Sequence, residues 1–181
     1  MEGTHMVTKE DLVDVFEEDA VLTLHGAKPA ELGIPPEEAE TLGSVGLPVH
    51  VENIFTISVS GEPTAFTRTP VEVEGETFDI LILGGPPENE HIRYFLDLER
   101  RYIVMLVLDP AGTQAEVING SLMAFIEFLY RYTLREREVA ELSGEESRSY
   151  TEQLVAELKQ LDPVAFREPD AFWSLVFSGL M

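Results

Sequence analysis

Apolar residues change their spacing twice along the chain, from about 3.6 to 2 and back, which predicts helices at both ends and strands between them. Thr8-Lys9-Glu10-Asp11 reads as a capping box, Thr8 capping and Asp11 reaching back, ahead of Leu12, Val15 and Phe16 on one narrow stripe. The acids Glu17-Glu18-Asp19 close that helix at the end where its dipole disfavours them, and residues 20–24 form a short strand candidate. Pro35-Pro36 with Glu37, Glu38 and Glu40 starts another helix, because proline is tolerated in the first turn and acids favour that end. Ala39, Leu42 and Val45 face inward, and Gly46 and Pro48 stop it.

The middle alternates. Phe55, Ile57 and Val59 are separated by Thr56 and Ser58, and Val71 and Val73 by Glu72 ahead of Glu74, as in strands with one wet face. Residues 77–83 and 102–108 are near-continuous apolar runs and predict central strands covered on both sides. Residues 91–98 alternate, with Ile92, Tyr94, Leu96 and Leu98 on one face and His91, Arg93, Phe95 and Asp97 on the other. Turn residues separate these runs at 84–89, 99–101 and 109–112. Short spacings without intervening helices argue for antiparallel hairpins, five or six strands in one sheet.

Residues 119–132 organise the rest. Leu122, Phe125, Ile126 and Leu129 recur at helical spacing while Met123, Ala124, Phe128 and Tyr132 fill most of the circumference, so this is a core helix. Asn119 is the expected N-cap, and Glu127 with Arg131 the expected ion pair on a single wet strip. Ser143-Gly144-Glu145-Glu146 is a second capping box ahead of the stripe Tyr150, Leu154, Leu158, Leu161. Asp162-Pro163 ends that helix, and Phe172, Trp173, Val176, Phe177 and Leu180 make a last amphipathic one. With no repeat or low-complexity linker, one α+β domain is expected over 6–181, residues 1–5 reading as a leader left by cloning.

Asn119-Gly-Ser-Leu-x-x-Phe-x-x-Phe-Leu, followed by Asp162-Pro163-x-Ala165-Phe166 and then Trp173, resembles the C-terminal signature of the fourth immunity-protein subfamily of the SUKH superfamily. Gly46-Leu47-Pro48 and Phe95-Leu96-Asp97 are similar to further marks of that group. Where relatives carry a Thr-Gly turn after Leu-Asp, this chain has Glu99-Arg100-Arg101, and its approach through residues 78–83 is strongly apolar. The resemblance implies a mostly antiparallel sheet flanked by helices. It also implies an immunity protein of a bacterial polymorphic toxin system, which plugs a nuclease or deaminase through its sheet face and loops. The alternative on the same fold is a regulatory or scaffolding interaction module.

Composition changes this picture in two ways. No cysteine is present, which removes disulfides, thiolate catalysis and Cys-based zinc sites, and no apolar run approaches the roughly 20 residues of a membrane helix. A cytoplasmic protein without membrane association is expected. The net charge is -22, and its acidic excess is concentrated in residues 1–90. Such a field repels nucleic acid and speeds encounter with a basic partner, although solubility or an acidic proteome would produce the same composition. The arginines at 93, 100, 101, 131, 135, 137 and 148 are interleaved with acids and read as salt-bridged surface.

Catalytic chemistry finds little footing. His25, His50 and His91 stand at no metal-ligand spacing, and no nucleophile elbow or dinucleotide loop occurs. Gly84-Gly85-Pro86-Pro87 lacks two of the N–H donors a phosphate loop needs. The expectation is a non-catalytic binding protein without cofactor or metal, its partner a basic toxin. The candidate contact surface is Glu72, Glu74 and Glu76 with Asp97 and Glu99 on the neighbouring hairpin, residues that could equally be edge-strand charges blocking unwanted pairing.

Overall fold

The computed structural model describes residues 5–181, so most of the expected leader at 1–5 lies outside the described residues. Helix α1 (Lys9–Phe16) opens with the predicted reciprocal box between Thr8 and Asp11 and buries Leu12 and Val15. It stops where Glu17 takes a left-handed φ of 72°. A two-residue strand β1 (Val21–Leu22) follows, then α2 (Lys28–Glu31) and α3 (Pro36–Ser44). Strand β2 (Leu47–Pro48) pairs back onto β1, so Pro48, expected only to stop the helix, extends a ribbon together with Leu47.

A second ribbon joins β3 (His50–Val51) to β4 (Phe55–Thr56). The alternating 55–59 segment is therefore strand for two residues only. Thr56 turns its backbone onto Gly85, exchanging bonds of 2.8 and 3.0 Å, and at Gly84 an added Cβ would sit 2.2 Å from the Thr56 carbonyl oxygen. That close approach requires glycine and moors the ribbon to the end of the main sheet.

The main sheet is an antiparallel meander of five neighbouring strands in chain order: β5 (Arg68–Val73), β6 (Glu76–Gly84), β7 (Ile92–Asp97), β8 (Ile103–Val107) and β9 (Gln114–Asn119). Residues 114–118, not expected as a strand, form the far edge. The β8–β9 register slips between Ile103↔Asn119 and Val104↔Val117, which lets Ile118 turn inward as well.

Three helices complete the inner layer: α4 (Leu122–Glu138), α5 (Gly144–Leu161) and α6 (Phe172–Ser178). Helix α4 is the predicted core helix. Its Phe125, Ile126, Phe128 and Leu129 are fully buried, each contributing about 1.5–3 kcal/mol as an upper figure. Phe125 meets Phe55 edge-on at 5.6 Å and Tyr94 at 6.1 Å, so one side chain joins helix, ribbon and sheet.

Three side-chain assignments change. Ser121, not Asn119, caps α4, accepting from the Ala124 N–H at 3.0 Å. Asn119 ends β9 fully buried: its Oδ1 accepts from Trp173 Nε1 at 2.8 Å and its Nδ2 donates to Asp162 Oδ2 at 3.0 Å. The widely separated residues 119, 162 and 173 thus form one polar knot between sheet and helices. Glu127 is not on a wet strip, since it is 1% exposed and accepts from the Val7 N–H at 2.6 Å and Arg131 Nε at 2.7 Å. Nor are all the arginines surface residues. Arg135 is buried, donating to Thr151 Oγ1 and to the Leu180 carbonyl at 3.0 Å each, which ties α4 to α5 and the C-terminus.

Candidate functional site

Strand alternation gives the sheet two apolar faces, and the helices cover only one. Leu81, Leu83, Tyr94, Leu96 and Ile103 point to the helices within the main core. On the other side Ile80, Ile82, Phe95, Val104 and Leu106 form a separate buried cluster. Ile82, Phe95, Val104 and Val117 stand in register across β6 to β9 as one apolar row.

This outer face is concave. A groove of about 410 Å³ is lined by Val73 and Glu74 at one edge of the sheet and by Ala115 and Val117 at the other. Flat strands would hold those edges about 19 Å apart, four spacings of roughly 4.8 Å, so the sheet curls to bring both onto one groove. Phe78, Phe95 and Val104 supply the floor, and Glu74, Glu76, Asp97, Arg100 and Tyr102 the rim.

Arg93 anchors one end of the same face. It is fully buried, and its guanidinium donates to five carbonyls: Nε to Pro63 at 2.8 Å, Nη1 to Glu90 at 3.1 Å and Ile92 at 2.8 Å, Nη2 to Ser60 at 2.7 Å and Gly61 at 3.3 Å. All five N–H groups are used, which holds the 57–67 segment against the sheet. Burial lowers its pKa from the ordinary arginine value, and the charges of Glu90 and Glu62 partly offset that.

The five acids proposed from sequence do not share one face. Val73 pairs with Glu76 and Val71 with Phe78 on the groove side, while Glu72 pairs with Thr77 on the helix side. Glu74 reaches the groove because it lies in the hairpin turn, at φ 51°, where alternation no longer applies. Asp97 is only 3% exposed and shapes the next turn: Oδ1 accepts from the Glu99 and Arg100 N–H groups at 2.9 Å each. Glu99 stands exposed in that turn, away from the groove lining. The structure therefore gathers Glu74, Glu76 and Asp97 and separates Glu72 and Glu99 from them.

Sequence reasoning missed Arg100, Tyr102, Phe78, Val104 and Val117 as groove residues. The continuous apolar runs at 77–83 and 102–108 carried the signal, because a strand apolar on both faces must have a second surface to cover. Two exposed carboxylates, Glu74 and Glu76, line the groove with one guanidinium, beside a phenol and a largely buried apolar floor. Such a site is complementary to a cation with an apolar neighbour.

A larger cleft of about 660 Å³ lies on the helix side, lined by Glu127, Tyr130, Arg131, Tyr150 and Glu157 among others. Its charges are already spent on one another, with Arg131 held by Glu127 at 2.7 Å and Glu157 at 3.0 Å, so it reads as a seam between helices. Among the described residues no group of three or more His, Asp or Glu side chains is placed to hold a metal ion, and no helix is long and apolar enough to cross a membrane.

Compared with models of known families, residues 7–179 match that of the SUKH-4 immunity protein. No curated protein matches the chain, and no solved structure does.

Proposed function

The chain belongs to the SUKH-4 immunity protein family, and on that premise we propose that it neutralises a basic protein toxin, a nuclease or a deaminase, by docking it on the outer face of the sheet. An immunity protein acts by binding its cognate toxin. What supports this face is the groove, with the half-buried Val73, Phe78 and Val117 left to be covered on contact and the exposed Glu74 and Glu76 at its rim above the nearly buried Asp97. A nuclease needs positive charge to hold phosphate, so an acidic concave surface complements it in charge and shape. Glu99 acts at the margin as a steering charge, and Glu72, on the opposite face, contributes only to the overall field of a protein of net charge -22. The protein works in the cytoplasm as one domain over 6–181, with no cofactor, and does not bind nucleic acid or membrane.

The test begins with capture of the partner from the native host, with the product of the adjacent gene as first candidate. Association and dissociation rates are then measured at low and high salt. Charge reversal at Glu74 and Glu76 is expected to slow association by about tenfold while changing dissociation less, and Glu72→Lys to do markedly less. Association that ignores both salt and these substitutions would refute electrostatic docking on this face.

A further inference from the structure

The outer groove already holds a guanidinium of its own. Arg100 lies with Cζ 4.8 Å from the centroid of the Phe78 ring and Nη2 3.3 Å from Glu76 Oε2. The adjacent arginine takes the opposite face: Arg101 donates through Nε to Glu38 Oε1 at 2.6 Å and also pairs with Glu37, latching the turn to α3. Asp97 fixes the backbone of this turn through the N–H groups of residues 99 and 100. Neither the latch nor the turn uses the Arg100 side chain. About half of that side chain (52%) and two thirds of Glu76 (66%) are exposed, so their pairing is in water and readily exchanged.

We propose that this position is a receptor for an arginine of the partner, which Arg100 occupies until the partner arrives. The claim rests on the groove being the docking face and names the chemistry recognised there. An incoming arginine stacks on Phe78 against Glu76 and Glu74, its apolar neighbour packs on the half-buried Val73 and Val117, and Arg100 swings into solvent. A planar, weakly hydrated guanidinium suits a ring face better than a compact ammonium does, so arginine is preferred to lysine. The exposed Glu74 and Glu76 against one internal cation leave the rim net negative, which favours a second cation over an anion. Arg100 then sets the threshold of recognition, because a partner that cannot outcompete it gains nothing from the groove.

The probe is the peptide N-acetyl-Phe-Arg-amide, titrated into the full chain by amide NMR beside its lysine and glutamate counterparts. Shifts are expected to gather at Phe78, Phe95, Tyr102, Val104 and Val117. Arg100→Ala should bind the arginine peptide about threefold to tenfold more tightly, and Glu76→Gln more weakly by a similar factor. The lysine peptide should bind less well than the arginine one, and the glutamate peptide not at all. Arg100→Ala binding no tighter than the parent, or shifts scattered over the acidic surface, would overturn the proposal. No toxin is needed, so the two readings fail separately. An intact arginine response with no effect of these substitutions on the captured partner counts against toxin docking, and the reverse pattern counts against the arginine receptor.

Discussion

Replacing Trp173 with alanine tests whether the polar knot and the aromatic cluster on α6 hold the helical layer to the sheet. The indole is fully buried, with ring centroids 5.2 Å from Phe128, 5.0 Å from Phe172 and 5.8 Å from Phe177, and its N–H donates to Asn119. Truncation removes a large buried ring and leaves a cavity, at a cost of about 3–5 kcal/mol. Trp173→Phe keeps most of the ring and removes the donor, leaving Asn119 Oδ1 unpaired inside the core, at about 1–3 kcal/mol. A domain stable by about 5–15 kcal/mol would lose a large share of its margin in the first variant and a smaller one in the second. Urea unfolding followed by far-UV circular dichroism is the assay, since Trp173 is the one tryptophan and the variants lose its fluorescence. The midpoint should fall with little change in slope. An alanine variant within about 0.5 kcal/mol of the parent would refute the docking of α6 as a structural element, and a silent phenylalanine variant would refute the energetic role of the Asn119 bond.

Arg93→Met should cost about 2–4 kcal/mol, because it strands five carbonyls, and should expose the 57–67 segment to limited proteolysis; unchanged cleavage would show that the guanidinium does not anchor it. The backbone bond from Thr8 and bonds from Ser143 hold the carboxyls of Asp11 and Glu146 below their ordinary values. Their contribution is therefore complete above the unfolded values near pH 4 and disappears as pH falls through the lowered folded ones. The double variant Asp11→Asn, Glu146→Gln should be less stable than the parent at pH 7, and the gap should close as pH falls below the ordinary carboxylate range in acid-unfolding curves. A gap constant over that range would contradict the capping assignment.

Period and capping chemistry made the helices and the central strands legible, because α4 and β6 to β8 are long enough for their pattern to outweigh local accidents. The short ribbons were legible only in part: residues 20–24 read as a strand and hold β1, whereas β2 and β3 gave no signal. β4 ends after Thr56 because Gly84 and Gly85 admit its backbone, a long-range contact that alternation at 55–59 does not encode. Asn119 illustrates a different limit: its residue type suits an N-cap, yet two partners more than forty residues away claim both ends of its amide, and Ser121 takes the cap. Arg93 and Arg135 read as salt-bridged surface since composition cannot show that five carbonyls would meet Arg93, or that Thr151, Ser147 and the Leu180 carbonyl would bury Arg135 beside Glu136. At the groove, alternation located Phe95 and Asp97 on one face of β7 but could not carry through the Glu74-Gly75 turn, where Glu72 and Glu76 part to opposite sides.

The acidity need not be divided between solubility and recognition. At net charge -22 two copies of the chain repel one another strongly at close range. On the docking proposed above, the same field attracts the cationic partner. On the proposed docking face one charge distribution would both keep copies of the chain apart and draw in the partner, with the guanidinium of Arg100 on Phe78 and Glu76 setting the threshold. Salt near 0.15 M, where screening sets in over about 8 Å, weakens both effects beyond contact range and leaves the short-range stacking on Phe78 to decide which partner stays.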